Sequence, residues 1–100
     1  MTFGATKAKH LDEAATQLSI ARQSRLLAAR SLRAGHCRVA LRWLAVAGEQ
    51  ASTAYAHARA AGERAKVGTR AAAMGERRRV NGLMRAFLEQ CLRSNGRAKS

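Results

Sequence analysis

Small and apolar side chains recur along this chain in alternating steps of four and three residues. That spacing keeps positions on one side of an α-helix. From Ala40 the steps land on Leu44, Ala47, Ala51, Ala54, Ala58, Ala61, Ala65, Gly68, Ala72, Gly75, Arg79, Gly82 and Ala86, and all but Leu44 and Arg79 are Ala or Gly. A strict seven-residue repeat makes a seam that a second helix can follow. Small side chains let the two axes approach the near end of the usual ~8–10 Å range. The pattern predicts helices packed closely together.

Upstream, Leu11, Ala14, Leu18, Ala21, Ala28 and Leu32 share one heptad face and predict a first helix over 7–33, after a loose lead-in with Thr6 as N-cap. Asp12 and Glu13 near its start, and Arg30 and Arg33 in its last turn, suit the helix dipole. Arg25 falls on the apolar face itself. Either its stem packs while its head reaches solvent, or it makes an ion pair at a helix contact. Gly35 is the predicted turn, able to adopt the left-handed conformation that ends a helix. A second helix over 37–62 follows, with Val39, Ala40, Trp43, Leu44 and Ala47 as the densest apolar cluster. So short a connection makes the two helices antiparallel neighbours.

Beyond Gly62 two readings stand. The seam stays in phase, which favours one helix from 37 to 92, roughly 85 Å long. Each interior glycine, however, costs about 1 kcal/mol relative to alanine. A break near Gly62–Thr69 is the preferred reading, giving a third helix over 69–92 that can fold back. Its strongest face is Val80, Leu83, Met84, Phe87, Leu88, Cys91 and Leu92. Ser94-Asn95-Gly96 is expected to stop it before a basic tail, so that residues 93–100 lie outside the helices. The fold class expected is all-α: an antiparallel hairpin plus a third helix, as a three-helix bundle or with a long second helix extending beyond the hairpin, in a single domain over 1–100.

Composition supports an all-helical chain. There is no proline, and Ala, Arg, Leu and Glu are good helix formers. Hydrophobic residues make up 47% but aromatics only 4%, so any core is thin. Charge changes the picture further. Nineteen Lys and Arg face six Asp and Glu, for a formal charge of +13. Only Lys7, Lys9, Lys66 and Lys99 are lysines, so the other fifteen of the nineteen are arginines. Arginine pairs its planar fork with phosphate or carboxylate. A self-repelling surface of this kind calls for an anionic partner: nucleic acid, an acidic protein or an anionic membrane surface.

No stretch is long and apolar enough to span a membrane, and residues 1–4 lack the apolar core of a signal peptide. Cys37 and Cys91 lie far apart with no CxxC spacing. They are read as small buried apolar residues in a reduced setting, which places the protein in a cytoplasm or inside a particle assembled there.

Catalytic signatures are missing. His36-Cys37 is half of a metal-ligand pattern with no second pair at ligand spacing, so no metal is expected. His10, His36 and His57 are read as structural or surface residues. No phosphate-binding glycine loop occurs, which removes nucleotide cofactors. The acids are scattered, and no base lies near Cys91. A non-enzymatic protein without cofactors is expected.

The arginines carry the functional reading. No acid lies between Glu13 and Glu49, and the turn at Gly35 would gather Arg30, Arg33, Arg38 and Arg42. Arg77, Arg78 and Arg79 form a second cluster, with Arg70 and Arg85 about two turns to either side. These nine are the expected polyanion-binding residues; the plain alternative is a solvated face that keeps an alanine-rich protein soluble. Base-specific readout is not indicated, because recognition-type Asn or Gln and stacking aromatics are scarce. Trp43, Val80, Met84, Phe87 and Leu88 are the expected partner interface, with two alternatives: Trp43 packs in the hairpin core, and the apolar face of the third helix closes the core if that helix folds back.

Leu27-Ala28 with Ala40, Leu44 and Ala47 stand at spacings similar to those of a tetratricopeptide helix pair, with Gly35 near its turn. The likeness covers roughly 25 residues and lacks that family's aromatic positions and closing proline. It marks a tight helical hairpin and no family. The function expected is that of a small basic structural or assembly protein, such as a virion, phage or nucleoprotein-complex component. It would contact other subunits or copies of itself through small-residue seams, and nucleic acid or acidic surfaces through arginine clusters. The alternatives are a soluble nucleic-acid-binding regulator and a helical adaptor or inhibitor of an acidic protein.

Overall fold

The computed structural model describes the backbone of residues 3–62 and 67–99, and side-chain surroundings for 9–62 and 69–94. Three helices form an all-α bundle: α1 (Phe3–Arg33), α2 (Cys37–Ala60) and α3 (Val67–Lys99). α2 lies antiparallel to both neighbours and packs against each, while α1 and α3 touch less extensively. The principal extents are 65 × 16 × 13 Å. The radius of gyration, 16.5 Å, exceeds the ~13 Å of a compact chain this long, so the bundle is a rod.

The first turn forms as its chemistry dictates. Gly35 has φ +86°. Its N–H donates to the Leu32 carbonyl at 3.0 Å, and the His36 N–H donates to Ser31 at 2.8 Å. These two bonds close a Schellman motif and satisfy carbonyls that α1 leaves free. The second break is also where glycine permits it. α2 ends at Ala60, Gly62 has φ +100°, and its N–H reaches the Arg59 carbonyl at 3.1 Å. The chain therefore folds back, and the single long helix over 37–92 does not form.

The α2 seam is buried throughout: Ala40, Leu44, Ala47, Ala51, Ala54, Ala58 and Ala61 all face the bundle interior. Past the break the helical phase is reset. α3 turns Ala73, Glu76, Val80, Phe87 and Cys91 inward, while Gly75, Arg79, Gly82 and Ala86 face solvent. The small-residue seam thus does not continue as a packing surface in α3. Burying Val and Phe removes far more apolar area from water than burying glycine, so the larger residues set the register. Ala65 and the surroundings of Gly68 lie outside the described residues.

Three boundaries are corrected. α1 begins at Phe3, which puts Thr6 within the helix rather than at its cap. α3 begins two residues earlier than expected and runs on through Ser94, Asn95 and Gly96 to Lys99. The flanking Arg, Ala and Lys are good helix formers, and Ser, Asn and a single Gly weaken a helix without ending it.

The cysteines are corrected as well. Cys37 and Cys91 form a disulfide, with Cα atoms 5.8 Å apart, across a sequence separation of 54. The argument for a reducing compartment rested on separate thiols and loses its basis. Among the described residues, no helix is long and apolar enough to cross a membrane.

Two apolar clusters fill the rod. Near the disulfide, Ala28, Ala40, Leu44, Ala47, Val80 and Phe87 pack together, flanked by Leu32, Leu41, Trp43, Leu83 and Met84. In the other half, among the described residues, the cluster is Leu18, Ala54 and Ala73, with Tyr55 and Ala72 beside it.

Candidate functional site

The first arginine group lies where the turn was expected to put it. Arg30 and Arg33 end α1, Arg38 and Arg42 begin α2, and all four are exposed. The disulfide adds what the sequence did not suggest. It holds the last turns of α3 beside the start of α2, so Arg93, also exposed, joins this end of the rod. Arg85 is exposed and stands between the levels set by the Gly48–Val80 contact and the disulfide. Glu89 is the one acid on α3 beyond Glu76, and it is exposed.

The second group is divided. Arg78 and Arg79 are exposed, but Arg77 is half-buried, its guanidinium carbon 5.5 Å from the centroid of the Tyr55 ring. Arg77 also lines a groove of about 550 Å³ between α2 and α3, with Gly48, Glu49, Ser52, Thr53 and Asn81. Arg70 is half-buried toward the opposite end of the rod. The nine arginines therefore do not form one patch. Arg30, Arg33, Arg38, Arg42 and Arg85 sit toward one end, Arg77–Arg79 at mid-length, and Arg70 apart.

Arg25, the residue that interrupted the apolar face of α1, makes an ion pair. Its Nε donates to Glu76 Oε2 at 2.5 Å, with Arg22 Nε 4.0 Å from the other carboxylate oxygen. The Glu76 side chain is 2% exposed and that of Arg25 18%. A buried carboxylate needs such a partner to offset its lost hydration. Glu76 was missed in the sequence; the clue was Arg25 itself, a charge on a buried face that required an opposite charge from another helix. Glu76 is thereby withdrawn from the surface, while Asp12, Glu13, Glu49 and Glu89 stay exposed.

Two of the expected interface residues are interior: Val80 and Phe87 belong to the core cluster, and Met84 and Trp43 pack against it. Because the third helix folds back, this face closes the chain's own core. Leu88, at 44% exposed, remains outside, together with Leu92, Leu26, Leu27 and Val39. Trp43 also borders a shallow apolar groove of about 210 Å³ with Val39, Arg42 and Val46. Among the described residues, no three His, Cys, Asp or Glu side chains gather at metal-binding distance. No protein-family model, curated protein or solved structure matches this chain.

Proposed function

We propose that the protein is a non-enzymatic, basic helical assembly protein that binds nucleic acid through its phosphates, without reading base sequence. One arrangement supports this reading above others. The acid-free segment between Glu13 and Glu49 folds at Gly35 into a double-helical end, and the disulfide brings the arginine-bearing end of α3 alongside it. Arg30, Arg33, Arg38, Arg42, Arg85 and Arg93 are then all exposed toward this end of the rod, spread over three helices, with Glu89 the only acid nearby on α3. Several guanidinium groups presented from a rigid frame can neutralise several phosphates together.

Binding of a duplex and of a single strand, measured by fluorescence anisotropy at rising salt, tests this. With about six phosphates neutralised, affinity should fall ~1000-fold between 50 and 200 mM salt. Replacing Arg33 and Arg38 by alanine should lower the salt slope by about two, equally for unrelated sequences. Absence of binding in low salt, or a strong preference for one sequence, would defeat the proposal.

A second reading, contact with protein subunits, is favoured by the exposed Leu26, Leu27, Val39, Leu88 and Leu92. The α2 seam is already filled within the chain, so such contacts would use these larger apolar residues instead. Sedimentation equilibrium across a concentration series tests it, and a monomer at every concentration would count against self-assembly.

A further inference from the structure

His10 on α1 and His57 on α2 meet at the end of the rod away from the arginine turn. Their Nδ1 atoms are 2.9 Å apart, with ring centroids at 5.1 Å and planes tilted by 37°. Both side chains are half-buried. We propose that this pair forms a binding site for one divalent transition-metal ion of the Cu²⁺ or Ni²⁺ class, with both Nδ1 atoms as ligands and water completing the coordination sphere.

The spacing carries the argument. Without metal, one Nδ1 donates its proton to the lone pair of the other. Moving that proton to Nε2 leaves two lone pairs in the same small space, and neutral imidazole is the commonest metal ligand among side chains. Metal–nitrogen bonds of about 2.0–2.1 Å meeting at a right angle put the nitrogens about 2.9 Å apart, whereas a tetrahedral angle needs about 3.3–3.4 Å. The observed separation lies close to that of adjacent corners of a square-planar or tetragonal centre, and nitrogen donors hold Ni²⁺ and Cu²⁺ more tightly than the earlier divalent metals. Each ring must swing to aim its lone pair at a shared point off the nitrogen–nitrogen line. Partial exposure of both side chains leaves room for that movement.

The setting also favours this end over the other. Asp12 and Glu13, the two acids of α1, lie within one turn of His10. The only other histidine, His36, caps α2 about 30 Å away along the helix and serves as an internal control. Cys37 and Cys91 are bonded to each other and offer no competing thiolate.

Calorimetric titration of the oxidised full-length chain with CuCl₂ and with NiCl₂ should give one ion per chain. His10→Gln and His57→Gln should each weaken binding by more than about tenfold, as expected when one of two ligand bonds is lost, while His36→Gln should leave it unchanged. In the unaltered protein, substoichiometric Cu²⁺ should broaden the ring resonances of His10 and His57 before those of His36. That measurement decides the matter even if a variant fails to fold. No uptake by the unaltered chain, equal uptake by all three variants, or broadening centred on His36 would each overturn the proposal.

Discussion

The two halves of the rod are built on different principles. Near the Gly35 turn, Leu44, Val80 and Phe87 interlock, Trp43, Leu41, Leu83 and Met84 surround them, and a disulfide closes the end. In the other half, among the described residues, Leu18 is the one large buried residue, packed on Ala54 and Ala73. Each alanine in place of leucine forgoes about 2 kcal/mol of burial. The thin half and its border with the bulky half instead rely on polar contacts between helices. Arg25 pairs with Glu76, Ser24 Oγ donates to Gln50 Oε1 at 2.8 Å, and His10 meets His57. Alanine brings helices close enough for such contacts but adds little stability of its own. The arginines concentrate on the half best able to hold them in a fixed array.

Removing the disulfide should have the largest effect on this contrast. Cys37→Ser with Cys91→Ser is expected to cost about 4 kcal/mol in urea unfolding, from the entropy of the large loop it closes. Native-state amide exchange should then rise first in the last turns of α3. Next, Leu44→Ala should cost about 3 kcal/mol, and Ala54→Gly in the thin half only about 1 kcal/mol. Equal losses would show that the halves do not differ as described. Glu76→Ala should cost about 2 kcal/mol by stranding Arg25 in a mostly enclosed position. The double change Arg25→Leu with Glu76→Leu should recover most of that loss, because apolar pairs of similar volume replace buried ion pairs without penalty. The smallest effect has the opposite sign. An added Cβ at Gly75 or Gly82 meets nothing within 4 Å, so Gly75→Ala and Gly82→Ala should each raise stability by up to about 1 kcal/mol. Circular dichroism melts of the two variants would check it.

The hairpin was legible because its signals agreed. The 4-3 spacing from Ala40 to Ala61, the turn at Gly35 and the Trp43–Leu44 cluster all required α2 to lie against α1, and every seam residue is buried. The same spacing misled in α3. Periodicity shows which residues share a face, but only bulk decides which face is buried once a turn frees the helix to rotate. The pairing of Cys37 with Cys91 and of His10 with His57 depends on where three helices align, and separation along the chain carries no such information. The helical extension beyond Leu92 was hidden for another reason: Asn95 and Gly96 permit a stop, but good helix formers on either side carry the helix past them. The arginine turn was readable because it depends only on one glycine and its immediate neighbours.

The bond between Cys37 and Cys91 has a mechanical consequence. It joins the first residue of α2 to a late residue of α3, so the intervening chain is a closed ring that carries no tension when the two termini are pulled. Only the residues up to Cys37 and from Cys91 onward can pay out, a reach of about 160 Å against about 340 Å for the open chain. With the bond intact these 100 residues have a fixed limit of extension; with it reduced, the same span would stretch to roughly twice that length.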